Sequence, residues 1–350
     1  MQNYNCQNCG AELYWDVQAS CLKCRFCDSE YQVSDFEDGT IAEEPVKSED
    51  AEQEFVNTEV SEEMVVYECK NCGGEVVALK TTMATICPYC SEAISITSKS
   101  VGEFRPEICI PFQKDKKAAM ELYKNYVSQS FLTPKAFKEQ SVIEKIQGLF
   151  VPFHLHTIKD KASHTFHGER HTSRRVGYDR ITTHRIYNLN VCASGEFERV
   201  PTDAAAGIQN DLMDALEPFD YTGLKDYNPA YMAGFLAEQR DDDPAKMDER
   251  AEERVKEGME ARARGAFSGY LGMNLVDKND IIENHKSEYA MIPVWLLNVN
   301  HEGIKYTFAI NGQSGKVVGK LPVDKKKLAL IGAGVFIATD LIVALIAMLF

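Results

Sequence analysis

Apolar residues recur with the period of an α-helix in several stretches of the central part of the chain. Residues 116–130 predict the first helix. Its core-facing stripe consists of Met120, Tyr123 and Val127. A second, shorter helix is predicted to begin at Thr133-Pro134, because threonine caps a helix and proline fits its first turn. Both are the short amphipathic helices expected in a globular domain.

A longer helix is predicted to begin at Asp243-Pro244 and to end near Arg264. Its apolar residues repeat every four positions along a narrow stripe. These residues are Met247, Ala251, Val255 and Met259. Because the remaining surface is charged, we expect a mostly solvated helix that leans on a sheet or on a partner along this stripe.

Two apolar segments, 148–156 and 290–298, have the pattern of strands, and the second is a weak echo of the first. Each contains one proline and an aromatic residue, so we interpret them as an internal repeat of two related sheets or hairpins. Proline predicts an edge position or a bulge in each. Residues 311–316 lack the spacing of a phosphate loop and predict the glycine turn of a β-hairpin. Residues 104–323 are therefore predicted to form a mixed α+β domain with a mainly antiparallel sheet.

The last stretch, from Leu328 to Phe350, is apolar on all sides and contains one ionisable residue, Asp340. As a helix it is about 34 Å long, enough to cross a hydrocarbon core of about 30 Å. Asp340 opposes insertion by roughly 2.5–3.5 kcal/mol, whereas thirteen Leu, Ile, Val and Phe residues favour it by roughly 4–8 kcal/mol. The lysines at 325–327 predict a cytoplasmic location for the preceding domains of a single-pass, tail-anchored protein in the cell membrane.

A polar residue within such a helix usually has a partner in the membrane. We expect Asp340 to contact either another membrane protein or a second copy of the helix, so a homo-oligomer is one possibility.

The amino-terminal part of the chain contains one cysteine pattern twice, in the same spacing and with similar flanking residues. In each repeat, two Cys-x2-Cys pairs are separated by fourteen residues. The predicted ligands are Cys6, Cys9, Cys24 and Cys27 in the first repeat, and Cys69, Cys72, Cys87 and Cys90 in the second. Two such pairs joined by a strand–turn–strand segment can surround one tetrahedral zinc with four thiolates. The sequence therefore predicts two zinc ribbons and two structural Zn²⁺ ions.

A segment of this size buries too little core to fold alone, so the metal has to supply the folding free energy, roughly 10–16 kcal/mol in such peptides. Cys21 adds an alternative, because Cys21-x2-Cys24 has the same spacing as a ligand pair. The second repeat has Ala84 at the equivalent position, so we assign Cys24 and Cys27 as ligands. The three cysteines outside the ligand pairs form no disulfide framework, which favours a reducing compartment.

A strongly acidic segment lies between the two predicted ribbons. Between residues 34 and 63 the chain has twelve acidic residues and one lysine, and the whole protein has a net charge of −15. Such a segment is predicted to be a disordered acidic linker, either a solvated spacer or a docking tail. The predicted order is ribbon 1 (1–33), linker (34–63), ribbon 2 (64–98), α+β domain (104–323) and membrane helix (328–350).

Two further chemistries compete with a protein-interaction role. Six of the eight histidines lie between His154 and His184 and could form the metal site of an enzyme, although no His-Glu-x-x-His motif is present. A basic cluster around Arg174 and Arg175 could contact nucleic acid. The ribbons themselves are acidic, which makes nucleic-acid binding by them unfavourable. We assign no catalytic residue and favour the interaction role, and we keep the metal-dependent enzyme and the nucleic-acid-binding protein as alternatives.

Several motifs are also similar to those of a known family. They are the paired Cys-x2-Cys ribbons, Gly-Leu-Phe-Val-Pro-Phe at 148–153, Leu-Glu-Pro-Phe-Asp-Tyr at 216–221, Met-Ala-Gly-Phe-Leu-Ala-Glu at 232–238, Ile-Pro-Val-Trp at 292–295 and Ile-Asn-Gly-Gln-Ser-Gly-Lys at 310–316. In these the chain resembles an uncharacterised bacterial family of transcription-factor-IIB-type zinc-ribbon-containing membrane proteins. The resemblance implies zinc binding and a membrane tail. Together with the residues, it predicts a membrane-anchored cytoplasmic adaptor or assembly protein whose ribbons bind an unidentified protein partner.

Overall fold

The computed structural model describes residues 4–11, 13–36, 64–68, 75–79, 82–86, 93–95, 105–205, 208–238, 240 and 243–349. Most of the predicted acidic linker lies outside these residues, as do all four cysteines of the second ribbon, Cys69, Cys72, Cys87 and Cys90.

The first ribbon is a three-stranded antiparallel sheet. Its strands are Leu13–Asp16 (β1), Cys21–Cys24 (β2) and Glu30–Tyr31 (β3), in the order β1-β2-β3. Leu13 and Leu22 are fully buried and Trp15 nearly so, which gives the ribbon a small core of its own. This strand–turn–strand arrangement is the one that the cysteine spacing predicts.

Four short strands follow in the region of the second repeat. They are Met64–Glu68 (β4), Glu75–Leu79 (β5), Thr82–Ile86 (β6) and Ala93–Ser95 (β7). β4 pairs with β5 in a separate two-stranded sheet, and β6 pairs with β7 at the end of the large sheet of the domain.

One ten-stranded sheet forms the α+β domain, and most of its pairings are antiparallel. Its remaining strands are Ile108–Cys109 (β8), Gln147–Val176 (β9), Asp179–Asp203 (β10), Lys225–Asp226 (β11), Leu236–Glu238 (β12), Leu271–His301 (β13), Ile304–Asn311 (β14) and Val317–Gly319 (β15). The main path runs β11-β8-β13-β9-β12-β6-β7, with β10 beside β9 and with β14 and β15 beyond β13. Only the pairs β12–β9 and β13–β8 are parallel among the described strands. The mixed, mainly antiparallel α+β architecture is confirmed.

The two segments of the predicted internal repeat, 148–156 and 290–298, are neighbours in this sheet. Gly148 lies opposite Trp295, and Pro152 lies opposite Met291. The predicted edge or bulge position of their prolines is wrong, because both prolines lie in central strands. Pro152 falls where the outer neighbour of β9 changes from β12 to β10. Pro293 falls where the outer neighbour of β13 changes from β8 to β14. A proline is tolerated at such a change because no ladder there needs its missing N–H.

Five α-helices accompany the described strands. They are Lys116–Gln129 (α1), Gln140–Ile143 (α2), Asn210–Leu216 (α3), Pro244–Gly265 (α4) and Lys325–Leu349 (α5). A short 3₁₀ turn, Lys135–Lys138, precedes α2 in the region predicted to hold the second helix. α1 packs through Tyr123 and Val127, as predicted, onto a core that includes Phe308 and Trp295. The opposite face of the sheet holds a second core with Phe153 and the α3 residue Leu216.

α4 lies across the long strands β9, β10 and β13. Its bounds match the sequence prediction, and Asp243 caps it by accepting the N–H of Ala245 at 3.1 Å. Ala251, Val255 and Met259 are fully or almost fully buried. The helix therefore rests on the sheet along the predicted stripe and leaves its other sides charged and exposed.

Candidate metal centre

The four cysteines of the first ribbon converge on one point. The Sγ atoms of Cys6 and Cys27 are 3.4 Å apart, those of Cys9 and Cys24 are 3.5 Å apart, and all four lie within 4.8 Å of one another. A tetrahedral zinc with Zn–S bonds of about 2.3 Å needs sulfurs about 3.8 Å apart. The donor set and its spacing therefore fit one Zn²⁺.

Tight turns hold each cysteine pair in place. Gly10, which follows Cys9, has φ +75°, and Asp28, which follows Cys27, has φ +55°. This left-handed conformation turns the chain back after the second cysteine of each pair. The N–H of Gly10 donates to the carbonyl of Cys6 at 2.8 Å, and the N–H of Phe26 donates to the Cys24 sulfur at 3.4 Å. The backbone thus orients the sulfurs and directs N–H donors towards them.

Neighbouring groups shift the pKa values of these thiols strongly. The Tyr31 hydroxyl, 3.3 Å from the Cys6 sulfur, lowers the pKa of Cys6 to about 5 against the opposing effect of burial. The N–H of Ala11 lowers the pKa of Cys9, yet the neighbouring thiols of Cys24 and Cys27 outweigh it and raise this pKa to about 12. Four sulfurs this close cannot all ionise without a cation, and a bound metal supplies that charge.

Cys21 lies outside the group. It is buried at the start of β2, opposite Asp16, and burial raises the pKa of its thiol. The cluster is formed by the assigned pairs, and the alternative pair Cys21-x2-Cys24 is not used. The second zinc remains a prediction, because its cysteines lie outside the described residues.

The ribbon is joined to the α+β domain by specific contacts. The backbone N–H of Trp15 donates to the carbonyl of Ala233 at 3.1 Å, and the Trp15 ring meets the Tyr231 ring edge-to-face at 4.9 Å. The Gln18 amide donates to Asp115 at 2.7 Å. A groove of about 520 Å³ runs along this junction. The first ribbon is therefore docked on the domain.

The histidines predicted to form one metal site are distributed over separate places on the long strands. His164 Nε2 lies 2.8 Å from Asp280 Oδ1. His171 and His184 share Glu169 near the far end of the β9–β10 hairpin, at 2.9 and 4.0 Å. His156 instead meets His285 of β13, with the two ring nitrogens 2.9 Å apart. The residues between His154 and His184 thus do not build one centre.

His285 and its neighbour Asp248 were missed in the sequence. Both lie more than 90 positions beyond His156. His285 is on β13 and Asp248 is on α4, and neither element carries a ligand motif. No local signal marks them, since only the packing of α4 on the sheet brings them together.

Two other predicted features have a clear location. The basic residues Arg174, Arg175 and Arg180 lie on the exposed end of the β9–β10 hairpin, where Arg175 is opposite Arg180. The segment Lys325–Ala344 of α5 has a mean hydropathy of 1.9 and none of it is buried, so by length and composition it is a candidate membrane span.

Comparison with known proteins finds one uncharacterised relative. YdjG, an uncharacterized protein of Bacillus subtilis (strain 168), is 28% identical to this chain over 344 residues, which is 97% of each protein. No family model matches the chain, and no solved structure matches it. The similarity extends beyond the cysteine-rich part into the α+β domain.

Proposed function

We propose that this protein is a membrane-attached adaptor whose zinc ribbons bind a protein partner. The observation that carries this proposal is the four-cysteine group of the first ribbon, a rigid metal frame with an exposed tip. Cys9 and Cys27 are exposed, and the Phe26 side chain between the ligands Cys24 and Cys27 is 83% exposed. A large aromatic side chain on a fixed turn is a typical anchor for a partner protein.

The docked position of the ribbon supports the same role. The groove at the junction with the α+β domain is lined by Tyr14 and Arg25 from the ribbon and by Phe235 and Trp295 from the domain. It combines aromatic surface with a few polar groups, as protein-interaction surfaces do. A partner segment in this groove would contact both parts of the protein at once.

The second ribbon is proposed to bind a second Zn²⁺ through Cys69, Cys72, Cys87 and Cys90, because it repeats the spacing of the first. The resemblance to transcription-factor-IIB-type zinc-ribbon proteins is likewise a prediction. A nucleic-acid partner is disfavoured, because the acidic amino-terminal part of the chain repels phosphates.

The membrane part of the proposal rests on α5. Asp324 caps this helix by accepting the N–H groups of Lys326 and Lys327 at 3.0 and 3.2 Å. The lysines therefore lie in the first turn of an apolar helix, and the positive-inside rule assigns this end to the cytoplasmic side. In this arrangement the ribbons and the sheet face the cytoplasm, and Asp340 pairs within the membrane with a second copy or with another membrane protein.

The experiment is capture of partners by the full-length protein in detergent, compared among three forms. We expect a protein that copurifies with the wild type to be lost from Phe26→Ala. The Phe131→Ala variant is the matched control, since Phe131 is also a highly exposed phenylalanine, at 73%, but lies on the α+β domain. Retention by the control and loss from Phe26→Ala supports the adaptor. Equal retention by all three forms contradicts the role of the ribbon tip.

A further inference from the structure

Under the amino-terminal half of α4, side chains from three elements converge. His156 of β9 and His285 of β13 approach through Nδ1 and Nε2, which are 2.9 Å apart. The Oδ1 atom of Asp248 on α4 lies 3.5 Å from His156 Nδ1 and 3.4 Å from His285 Nε2. Two nitrogens and one carboxylate oxygen thus form a triangle with sides of similar length.

We propose that His156, Asp248 and His285 bind a divalent transition metal at a site separate from the cysteine ribbons. Zinc bonds to histidine nitrogen and carboxylate oxygen are about 2.0–2.1 Å long, so tetrahedral ligands lie about 3.3 Å apart. The three observed distances bracket this value. Imidazole and carboxylate ligands suit Zn²⁺ and neighbouring first-row metals, in contrast to the thiolates of the ribbon.

The outer nitrogen of each histidine also has a partner. His156 Nε2 lies 2.7 Å from the Thr202 hydroxyl, and His285 Nδ1 lies 3.4 Å from Glu252 Oε1. Histidines that bind metals characteristically use their second ring nitrogen in this way, which fixes the ring orientation and the tautomer. Both rings are therefore held with the inner nitrogen directed at the proposed ion.

A β-bulge turns His285 into the site. Asp280 and Ile282 of β13 are paired with residues of β9 that face α4, and the register then shifts between Ile282 and Asn284. The extra residue reverses the alternation of side chains, so that His285 also faces α4. In a regular strand, His285 would point to the other side of the sheet. Bulges that redirect a side chain are common beside functional sites.

The burial of the three ligands is graded. The side chain of His156 is fully buried, that of His285 is 16% exposed and that of Asp248 is 47% exposed. The site is therefore closed on the sheet side and open to solvent beside Asp248. Three protein ligands leave a fourth position for water, as in zinc sites that are reactive rather than purely structural.

A hydrogen bond between the two rings is the simplest alternative to a metal. It explains the distance of 2.9 Å between the nitrogens, but it does not require a carboxylate oxygen at nearly equal distances from both. A metal bound to all three groups accounts for the three distances together.

The test measures metal in the full-length protein in detergent after a mercurial thiol reagent has displaced every thiolate-bound ion and Zn²⁺ has been added back. We expect the wild type to retain one ion per chain. In His156→Gln the side-chain amide reproduces the Nε2 contact with Thr202 but has no equivalent of Nδ1, and in His285→Asn the amide reproduces the Nδ1 contact with Glu252 but has no equivalent of Nε2. Each variant keeps the outer contact but removes a ligand atom, so each is expected to lose the ion.

His167→Asn is the control, because His167 is an exposed histidine of the same strand and belongs to neither histidine–carboxylate cluster. It is expected to retain the ion. A second readout is the Tm of the thiol-blocked protein, which Zn²⁺ should raise in the wild type and in His167→Asn but not in the two ligand variants.

Three results would overturn the proposal. The first is a thiol-blocked wild type that holds no zinc and whose Tm does not respond to it. The second is full retention of zinc by His156→Gln and His285→Asn. The third is loss of the ion on His184→Asn with full retention by His285→Asn, which would assign the ion to the cluster around Glu169 at the end of the hairpin.

Discussion

The four-cysteine group of the first ribbon and the histidine–carboxylate group under α4 are built in opposite ways. The ribbon brings together four cysteines that lie within 21 positions of each other, mostly in the turns beside short strands that have little core of their own. The second group joins His156 to His285, 129 positions apart, on strands that are already packed beneath a helix. A metal should therefore fold the first site, whereas the folded sheet prepares the second site before any metal binds.

The largest expected effect follows from removing metal with a strong chelator. We expect the amides of β1, β2 and β3 to lose their protection from hydrogen exchange, because a segment with so small a core should need a bound metal for its folding. The amides of β9 and β13 should stay protected, since Phe150, Phe153 and Trp295 hold these strands in the cores. Measurement is by hydrogen exchange of the full-length protein with mass spectrometry.

Equal loss of protection in both regions would contradict this contrast, and so would a ribbon that keeps its protection without metal. Addition of Zn²⁺ is the control, and it should restore the protection of the ribbon.

A smaller effect is expected from loosening the helix that carries Asp248. Arg250 of α4 donates to Asp203 at 2.7 Å and to Asp214 at 2.6 Å, and the Asp203 side chain is only 1% exposed. Arg250→Ala leaves this buried carboxylate without its cation, which costs roughly 3–5 kcal/mol of unfolding free energy. Denaturant unfolding of the full-length protein measures the loss.

Arg262→Ala is the matched control, because Arg262 lies on the exposed side of the same helix. It should change the unfolding free energy by less than about 0.5 kcal/mol. Similar losses for both variants would show that the ion pairs with Asp203 and Asp214 do not hold α4 on the sheet.

The sequence predicts these two regions unequally. The four-cysteine group could be predicted because its ligands follow a local spacing, and the buried stripe of α4 could be predicted from its period of four. His285 could not, because a single bulge between Ile282 and Asn284 decides which face it occupies. The central position of Pro152 also escaped prediction, because it depends on a change of neighbouring strand that only the assembled sheet defines.

The smallest effect concerns Asp160, which is fully buried under α4 and lies on β9 between His156 and His164. Burial, together with Asp280, raises the pKa of its carboxyl, although the Ile281 N–H and Lys256 lower it. A raised pKa in the folded state means that folding binds protons, so stability falls as pH rises from the ordinary carboxyl range through the folded pKa. At neutral pH, Asp160→Asn should therefore stabilise the protein by on the order of 1 kcal/mol.

The gain should disappear at a pH below about 3.9, where the carboxyl is protonated in both states. Tm measured across pH tests this, with Asp179→Asn at the exposed hairpin turn as a control that should show no gain. A stabilisation that is independent of pH would point to a change in packing rather than to the charge of Asp160.

The most direct test of the account is X-ray absorption at the zinc edge of the full-length protein, since its central claim is that Cys6, Cys9, Cys24 and Cys27 hold one Zn²⁺. The wild type should give a sulfur shell at about 2.3 Å, and Cys24→Ser should lose one zinc per chain with part of that shell. A wild type whose zinc has only nitrogen and oxygen neighbours, or a Cys24→Ser variant with unchanged zinc content and sulfur shell, would contradict the claim.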